Sequence, residues 1–90
     1  MITRDSVPAF RRGIRQKFDA ARNTHVLLGP ERVIVLDEIA AAITGLVDAK
    51  HSVAEIAAEL AARFSADAAV VEADVTEFVS GLVEKGLATA

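Results

Sequence analysis

Few residues in this sequence have side chains that could do chemistry, and their spacing does not assemble them into a site. His25 and His51 each lack a carboxylate, cysteine or second histidine at the spacing that metal ligands require. No serine lies in a Gly-x-Ser-x-Gly turn, and the five glycines are too scattered for a phosphate loop. Because cysteine is absent, there is no thiolate nucleophile, sulfur ligand or disulfide. We therefore expect no catalytic residue, no metal ion and no cofactor.

Acidic residues near the end of the chain are the one remaining candidate for acid–base chemistry. They are Glu72, Asp74, Glu77 and Glu84. Spacing along the solvated face of a helix explains them without catalysis. The sequence therefore favours a protein that is not an enzyme.

Length and composition indicate one small domain. Ninety residues can enclose a single core, so we expect one domain over residues 1–90, with residues 1–10 as a flexible arm. No apolar run resembles a signal peptide or a membrane span. Together with the absence of cysteine, this favours a soluble cytoplasmic protein with no membrane partner, as a monomer or weak homodimer.

The charge is unevenly distributed along the chain. Residues 1–35 contain seven Lys and Arg against three acids, whereas residues 36–90 contain three against ten. The basic half could form a partner-facing surface, or its charges could simply solvate one face of the fold. Three of its arginines, Arg11, Arg12 and Arg15, are the candidates for contact with a partner protein.

The hydrophobic period is two in the first part of the chain. Alternation at residues 14–19 predicts a half-buried strand, and the apolar runs at 25–28 and 33–36 predict two more. Gly29 and Pro30 suit the tight turn between the second and third strands. The pattern predicts a three-stranded antiparallel meander.

The period changes to about 3.6 after Leu36, which predicts three helices. Asp37 is the expected N-cap of the first, which would bury Ile39, Ile43, Leu46 and Val47. Ser52 to Glu55 form a capping box for the second. The third begins near Asp67 and ends at Gly86. The predicted fold is α+β and winged-helix-like, with a three-stranded antiparallel sheet followed by a three-helix bundle.

A winged-helix topology is often associated with DNA binding, but the charges argue against a nucleic-acid partner. A recognition helix gains affinity from Lys and Arg contacts to phosphates. The third helix instead carries four acids and one lysine, Lys85. DNA binding by a winged-helix regulator stays a disfavoured alternative.

The third predicted strand is an unprotected sheet edge. Val33 to Leu36 are apolar on both faces and include no proline or inward charge. Either the third helix covers this edge, or an extended peptide pairs with it as a fourth strand. The alternative to any binding role is a structural subunit without a ligand.

The sequence resembles the PqqD family of small pyrroloquinoline quinone (PQQ) biosynthesis proteins over nearly its whole length. The matching stretches are Arg11 to Arg15, Phe18-Asp19, Leu27 to Val33, Leu36-Asp37, Ser52 to Ile56, Asp74-Val75 and Gly86-Leu87, with Pro8 before them. The family's usual Asp-Gly before the second helix is Asp48-Ala49 here.

This resemblance implies a peptide chaperone that binds the ribosomally made precursor peptide PqqA. It also implies that the peptide is presented to PqqE, a radical S-adenosylmethionine enzyme that links a glutamate to a tyrosine. In the wider family of recognition elements the peptide lies along the third strand and against the third helix. The corresponding residues here are Arg32, Val33, Ile34, Val35, Leu36, Val71, Val75, Phe78, Val79 and Leu82. A recognition element for another modified peptide would share every one of these features.

Overall fold

The structure is a computed structural model that describes the whole chain, residues 1–90. Its elements are β1 (Ala9–Phe10), β2 (Arg15–Asp19), β3 (Thr24–Leu28), β4 (Val33–Leu36), α1 (Glu38–Gly45), α2 (Val53–Phe64), α3 (Ala68–Glu84) and β5 (Ala88–Thr89). Strands β2, β3 and β4 form an antiparallel sheet in chain order, and three helices follow. The predicted α+β fold is confirmed.

Each helix begins at a side chain that satisfies a free backbone N–H. Asp37 accepts a hydrogen bond from the Ala40 N–H at 2.7 Å, as its assignment as N-cap predicted. Ser52 and Glu55 form the predicted capping box at the start of α2, with bonds of 3.1 and 2.8 Å. At the other end of α3, Gly86 adopts a left-handed φ of 73°, which ends the helix as predicted.

The apolar core has two parts. The larger lies among the three helices and contains Ile43, Val47, Val53, Ile56, Ala57, Leu60, Val75 and Val79. The smaller lies between the sheet and the end of α3 and contains Leu27, Leu36, Leu82, Leu87 and Ala88. Phe10 and Phe78 pack against both parts. These two rings therefore connect the helices to the sheet.

The first predicted helix buries only part of its expected apolar face. Ile43 and Val47 are buried as predicted, whereas Leu46 is half-buried and Ile39 is exposed. The helix ends at Gly45. Ile39, in the first turn of α1, is 40 % exposed and lines a surface cavity together with Phe78.

The first ten residues differ from the expected flexible arm. The Val53 N–H donates to the Ser6 carbonyl at 2.9 Å, and the Ala54 N–H donates to the Arg4 carbonyl at 2.9 Å. Further along, β1 pairs with β5 in a second, two-stranded sheet. Two-residue strands are too short for a periodic pattern, so this pairing could not be predicted from the sequence. The N-terminal segment lies along the domain and is hydrogen bonded to α2 and β5.

Candidate functional site

Strand β4 has one paired edge and one free edge. It pairs with β3 on one side, and no strand pairs with the other. The Gly29 N–H donates to the Arg32 carbonyl at 2.9 Å, and Leu28 is registered opposite Val33. Hydrogen-bonded and non-hydrogen-bonded pairs alternate along an antiparallel ladder. The amides of Ile34 and Leu36 therefore point at β3, whereas those of Val33 and Val35 point at the free edge.

The side chains of β4 alternate in step with its amides. Leu36 is buried and Ile34 half-buried on the side of the helices. Val33 and Val35 lie on the opposite face with exposures of 53 and 59 %. Exposed valines beside two unpaired amides are the type of edge that native proteins usually cover or block with charge. This edge is available for pairing with another chain.

A groove separates β4 from α3. It encloses about 700 Å³, and its apolar walls are Ile34 from β4 and Phe78 and Leu82 from α3. Its polar lining includes Asp74 and Glu77. A strand paired to β4 would direct alternate side chains into this groove. The edge and the groove together are the candidate site for an extended peptide.

The structure divides the α3 residues that the resemblance implied for peptide contact. Phe78 and Leu82 line the groove. Val75 and Val79 are fully buried in the helical core, with 0 % exposure, so a bound peptide has no access to them. Val71 is half-buried and packs against that same core. The broad apolar stripe of α3 faces α2 more than it faces the groove.

Arg32 lies at the hairpin end of the groove. It lines an adjoining cavity of about 380 Å³ together with Lys85 and Glu31. At the opposite end, Asp37 and Asp74 line a second adjoining cavity of about 290 Å³, where α1 begins. The groove thus extends past both ends of β4.

The predicted partner-contact arginines lie at the start of β2 and in the connection before it. Arg11 and Arg12 are in the connection between β1 and β2, and Arg15 is the first residue of β2. All three are exposed, and none of them forms an ion pair. Strand β3 separates Arg15 from β4 by about 10 Å, whereas Arg11 lies beside Leu87, to whose carbonyl its N–H donates at 2.9 Å.

Asp74 and Glu77 line the groove, although their spacing in the sequence predicts only a solvated helix face. Their three-residue spacing is compatible with either role. The only indication of a groove in the sequence was the position of these two acids beside Phe78, which is half-buried in the structure. This indication can be interpreted only when the position of β4 is known.

His51 has a carboxylate partner, Asp48, which differs from the expectation that no carboxylate lies near it at ligand spacing. Its Nδ1 lies 2.8 Å from an Asp48 carboxylate oxygen. Desolvation acts to raise the pKa of Asp48, but hydrogen bonds from the Lys50 and His51 backbone N–H groups and from the His51 ring outweigh it and lower that pKa. No group of three or more His, Cys, Asp or Glu side chains comes together in a metal-binding arrangement. The pair stabilises the turn before α2.

None of the helices has the length and apolar character needed to cross a membrane.

Comparison with known proteins identifies the family to which the chain is similar. The model of the family described as coenzyme PQQ synthesis protein D (PqqD) matches residues 24–88. A protein of Xanthomonas oryzae pv. oryzae (strain PXO99A), described as a PqqA binding protein, is 54 % identical over 86 residues, which cover 96 % of this chain and 94 % of that protein.

Two solved structures also match. One is the solution NMR structure of the PqqD truncation of Methylobacterium extorquens PqqCD, described as a functional, stand-alone recognition element for ribosomally synthesised, post-translationally modified peptides. It has a TM-score of 0.88 at 40 % identity, covering 100 % of this chain and 96 % of that one. The other is the crystal structure of PqqD from Xanthomonas campestris, with a TM-score of 0.62 at 48 % identity and 97 % coverage of both chains. The resemblance noted in the sequence is confirmed, and the chain belongs to the PqqD family.

Proposed function

We propose that this protein is a peptide chaperone of PQQ biosynthesis that binds the precursor peptide PqqA and presents it to the radical S-adenosylmethionine enzyme PqqE. The observation that carries the proposal is the free edge of β4 beside an apolar groove. The description of the Xanthomonas oryzae relative as a PqqA binding protein supports the choice of peptide.

The peptide would add to the sheet as a fourth strand. Its backbone would exchange hydrogen bonds with Val33 and Val35, whose amides face outward, and these bonds do not depend on peptide sequence. Side chains opposite Ile34 would enter the groove and give selectivity. The intervening side chains would cover the two exposed valines, which removes apolar surface from water. The protein itself catalyses no reaction in this scheme and acts by holding the peptide extended.

The enzyme would bind at a different surface. Arg11, Arg12 and Arg15 would form this surface as an exposed basic patch at the start of β2 and just before it, and none of them takes part in an ion pair of the domain. An acidic surface on the enzyme would complement this patch and increase the rate of association. This arrangement leaves the peptide edge and the enzyme surface free to be occupied together.

Proline substitution tests strand addition because it removes one N–H. Val35→Pro removes an amide that faces the proposed peptide. The register of β2 with β3 makes Gln16 the matched control, because its amide faces outward at the other edge of the sheet. Isothermal titration with synthetic PqqA should show binding to the parent protein and to Gln16→Pro, but a loss of at least about tenfold for Val35→Pro.

Circular dichroism and unfolding curves would confirm that both variants fold. If Val35→Pro does not fold, an ester in place of the Val35 amide removes the same N–H while the side chain is kept. Binding of PqqA with unchanged affinity to a folded variant that lacks the Val35 N–H would contradict strand addition at β4.

A further inference from the structure

The groove beside β4 has a charge difference between its two ends. At the α1 end, its lining and that of the adjoining cavity include Asp37, Asp74 and Glu77, with no cationic side chain. At the hairpin end, Arg32 and Lys85 accompany Glu31 and Glu84, so opposite charges balance. One end of the groove is therefore acidic and the other is close to neutral.

No cation of the domain lies within ion-pair distance of the acidic end. None of its three carboxylates takes part in an ion pair of the domain. Asp37 is committed to capping α1 through its bond to the Ala40 N–H. Asp74 and Glu77 are exposed and lie three residues apart on α3, where two like charges repel each other. A cation from outside the domain would relieve this repulsion.

Phe78 gives the acidic end a shape that suits a long cationic side chain. Its ring lines both the main groove and the cavity at the start of α1. Lysine and arginine place their aliphatic stems along apolar surfaces and keep the charged group among polar ones. Aromatic rings also attract such cations directly.

A strand paired with Val33 and Val35 supplies a side chain at the required position. The peptide residue opposite Ile34 points toward α3, because side chains alternate between the faces of a sheet. It enters the groove from the β4 wall, whose Ile34 faces Phe78 across the cavity. The chain after β4 continues directly into Asp37, so this position borders the acidic end.

We propose that the acidic end of the groove selects a lysine or arginine of the bound peptide, with its stem on Phe78 and its charged group at Asp74 and Glu77. This proposal rests on the proposed function, since it concerns the same groove. It makes the groove selective for a cationic side chain at one register position of the peptide.

A double-mutant cycle with synthetic PqqA tests the proposal. Each Lys or Arg of the peptide is replaced in turn by norleucine, and each other position in turn by lysine. Every peptide is titrated against the parent protein, the double variant Asp74→Asn with Glu77→Gln, and the control Glu59→Gln, whose exposed carboxylate on α2 lines no part of the groove. The amide variants keep the shape of the side chains and remove only their charge.

We expect one cationic position whose loss weakens binding to the parent protein roughly 5- to 20-fold. The double variant should bind the unmodified peptide more weakly by a similar factor and be insensitive to the same peptide change, whereas Glu59→Gln should behave like the parent. If the parent protein binds PqqA but no cationic position couples to Asp74 and Glu77, the selectivity is wrong while the proposed function stands. If PqqA does not bind the parent protein at all, both fail.

Discussion

The Gly29 N–H and the Arg32 carbonyl, joined at 2.9 Å, set the hydrogen-bonding phase of the whole β4 edge. With Leu28 opposite Val33, the alternation leaves the Val33 and Val35 amides unpaired. A shift of one residue would instead expose the amides of Ile34 and Leu36 and turn their apolar side chains away from the core. The turn at Gly29 and Pro30 thus fixes both the core contacts and the free edge.

The first prediction concerns Val79, which lies in the core although the resemblance implied peptide contact. Val79→Ala should destabilise the domain by roughly 2 kcal/mol, because it removes fully buried methyl groups and leaves a cavity. Peptide affinity, measured where both proteins remain folded, should stay unchanged. Urea unfolding gives the stability and isothermal titration the affinity.

Val83→Ala is the matched control, since Val83 lies on the same helix and is exposed. It should change stability by less than about 0.5 kcal/mol. A Val79→Ala variant with parental stability and weakened peptide binding would show that Val79 contacts the peptide after all.

The second prediction separates the enzyme surface from the peptide surface. Replacing Arg11 and Arg12 with glutamate should weaken the complex of protein, peptide and PqqE, because an acidic enzyme surface would then be repelled. Affinity for PqqA alone should stay within about twofold, since neither side chain lines the groove or the cavity at its hairpin end. Titrations with and without the enzyme at two salt concentrations provide the measurement.

Lys50→Glu is the control for this experiment, because Lys50 is exposed and forms no ion pair. It changes the net charge without touching the arginine patch. Equal losses of peptide and enzyme affinity in the double variant would contradict separate surfaces.

The third prediction concerns Ala49, which stands where the PqqD family usually has the glycine of an Asp-Gly pair. Its φ is 65°, a left-handed conformation that strains a residue with a Cβ. Ala49→Gly should therefore raise the free energy of unfolding by about 0.5–1 kcal/mol, after allowing for the greater freedom of glycine in the unfolded chain. The Ala49 N–H would keep its bond to the Pro8 carbonyl. Unchanged or lower stability in urea unfolding would refute the strain.

The fourth prediction is a pH dependence at the start of α2. Hydrogen bonds from the Ser52 backbone N–H and then its side chain lower the pKa of Glu55 in the folded state. A lowered folded pKa stabilises the domain above the unfolded pKa, and this stabilisation is lost as pH falls through the folded pKa. The stability difference between the parent and Glu55→Gln should therefore shrink between about pH 6 and pH 2. A difference that stays constant over this range would contradict the prediction.

The strands and helices that carry a clear period could be predicted from the sequence, as could the caps at Asp37 and Ser52. The sheet order followed from the short connections, so the free edge of β4 was also predictable. The direction of the β4 amides could not be predicted. Either alternate set of amides could face β3, and one observed hydrogen bond is needed to decide between them. The docked N-terminal segment was missed, because backbone bonds such as that of the Ser6 carbonyl leave no pattern in side chains.

The division of the α3 side chains between the core and the groove could not be predicted from the sequence either, for a different reason. Val75, Phe78, Val79 and Leu82 form one broad apolar stripe, and a stripe does not reveal which neighbour covers each part of it. In the fold, α2 covers Val75 and Val79, whereas Phe78 and Leu82 reach the groove. Assigning such residues to core or site requires the positions of the packed elements.

Amide hydrogen exchange, read residue by residue by NMR, tests strand addition at β4 most directly. With free PqqA at about 100 times its Kd, exchange at the Val33 and Val35 amides should slow about 100-fold. The Gln16 and Phe18 amides, which face outward at the other edge of the sheet, should exchange as in the free protein. Unchanged exchange at Val33 and Val35 under saturating peptide, or protection at Gln16 and Phe18 instead, would contradict binding of the peptide as a fourth strand on β4.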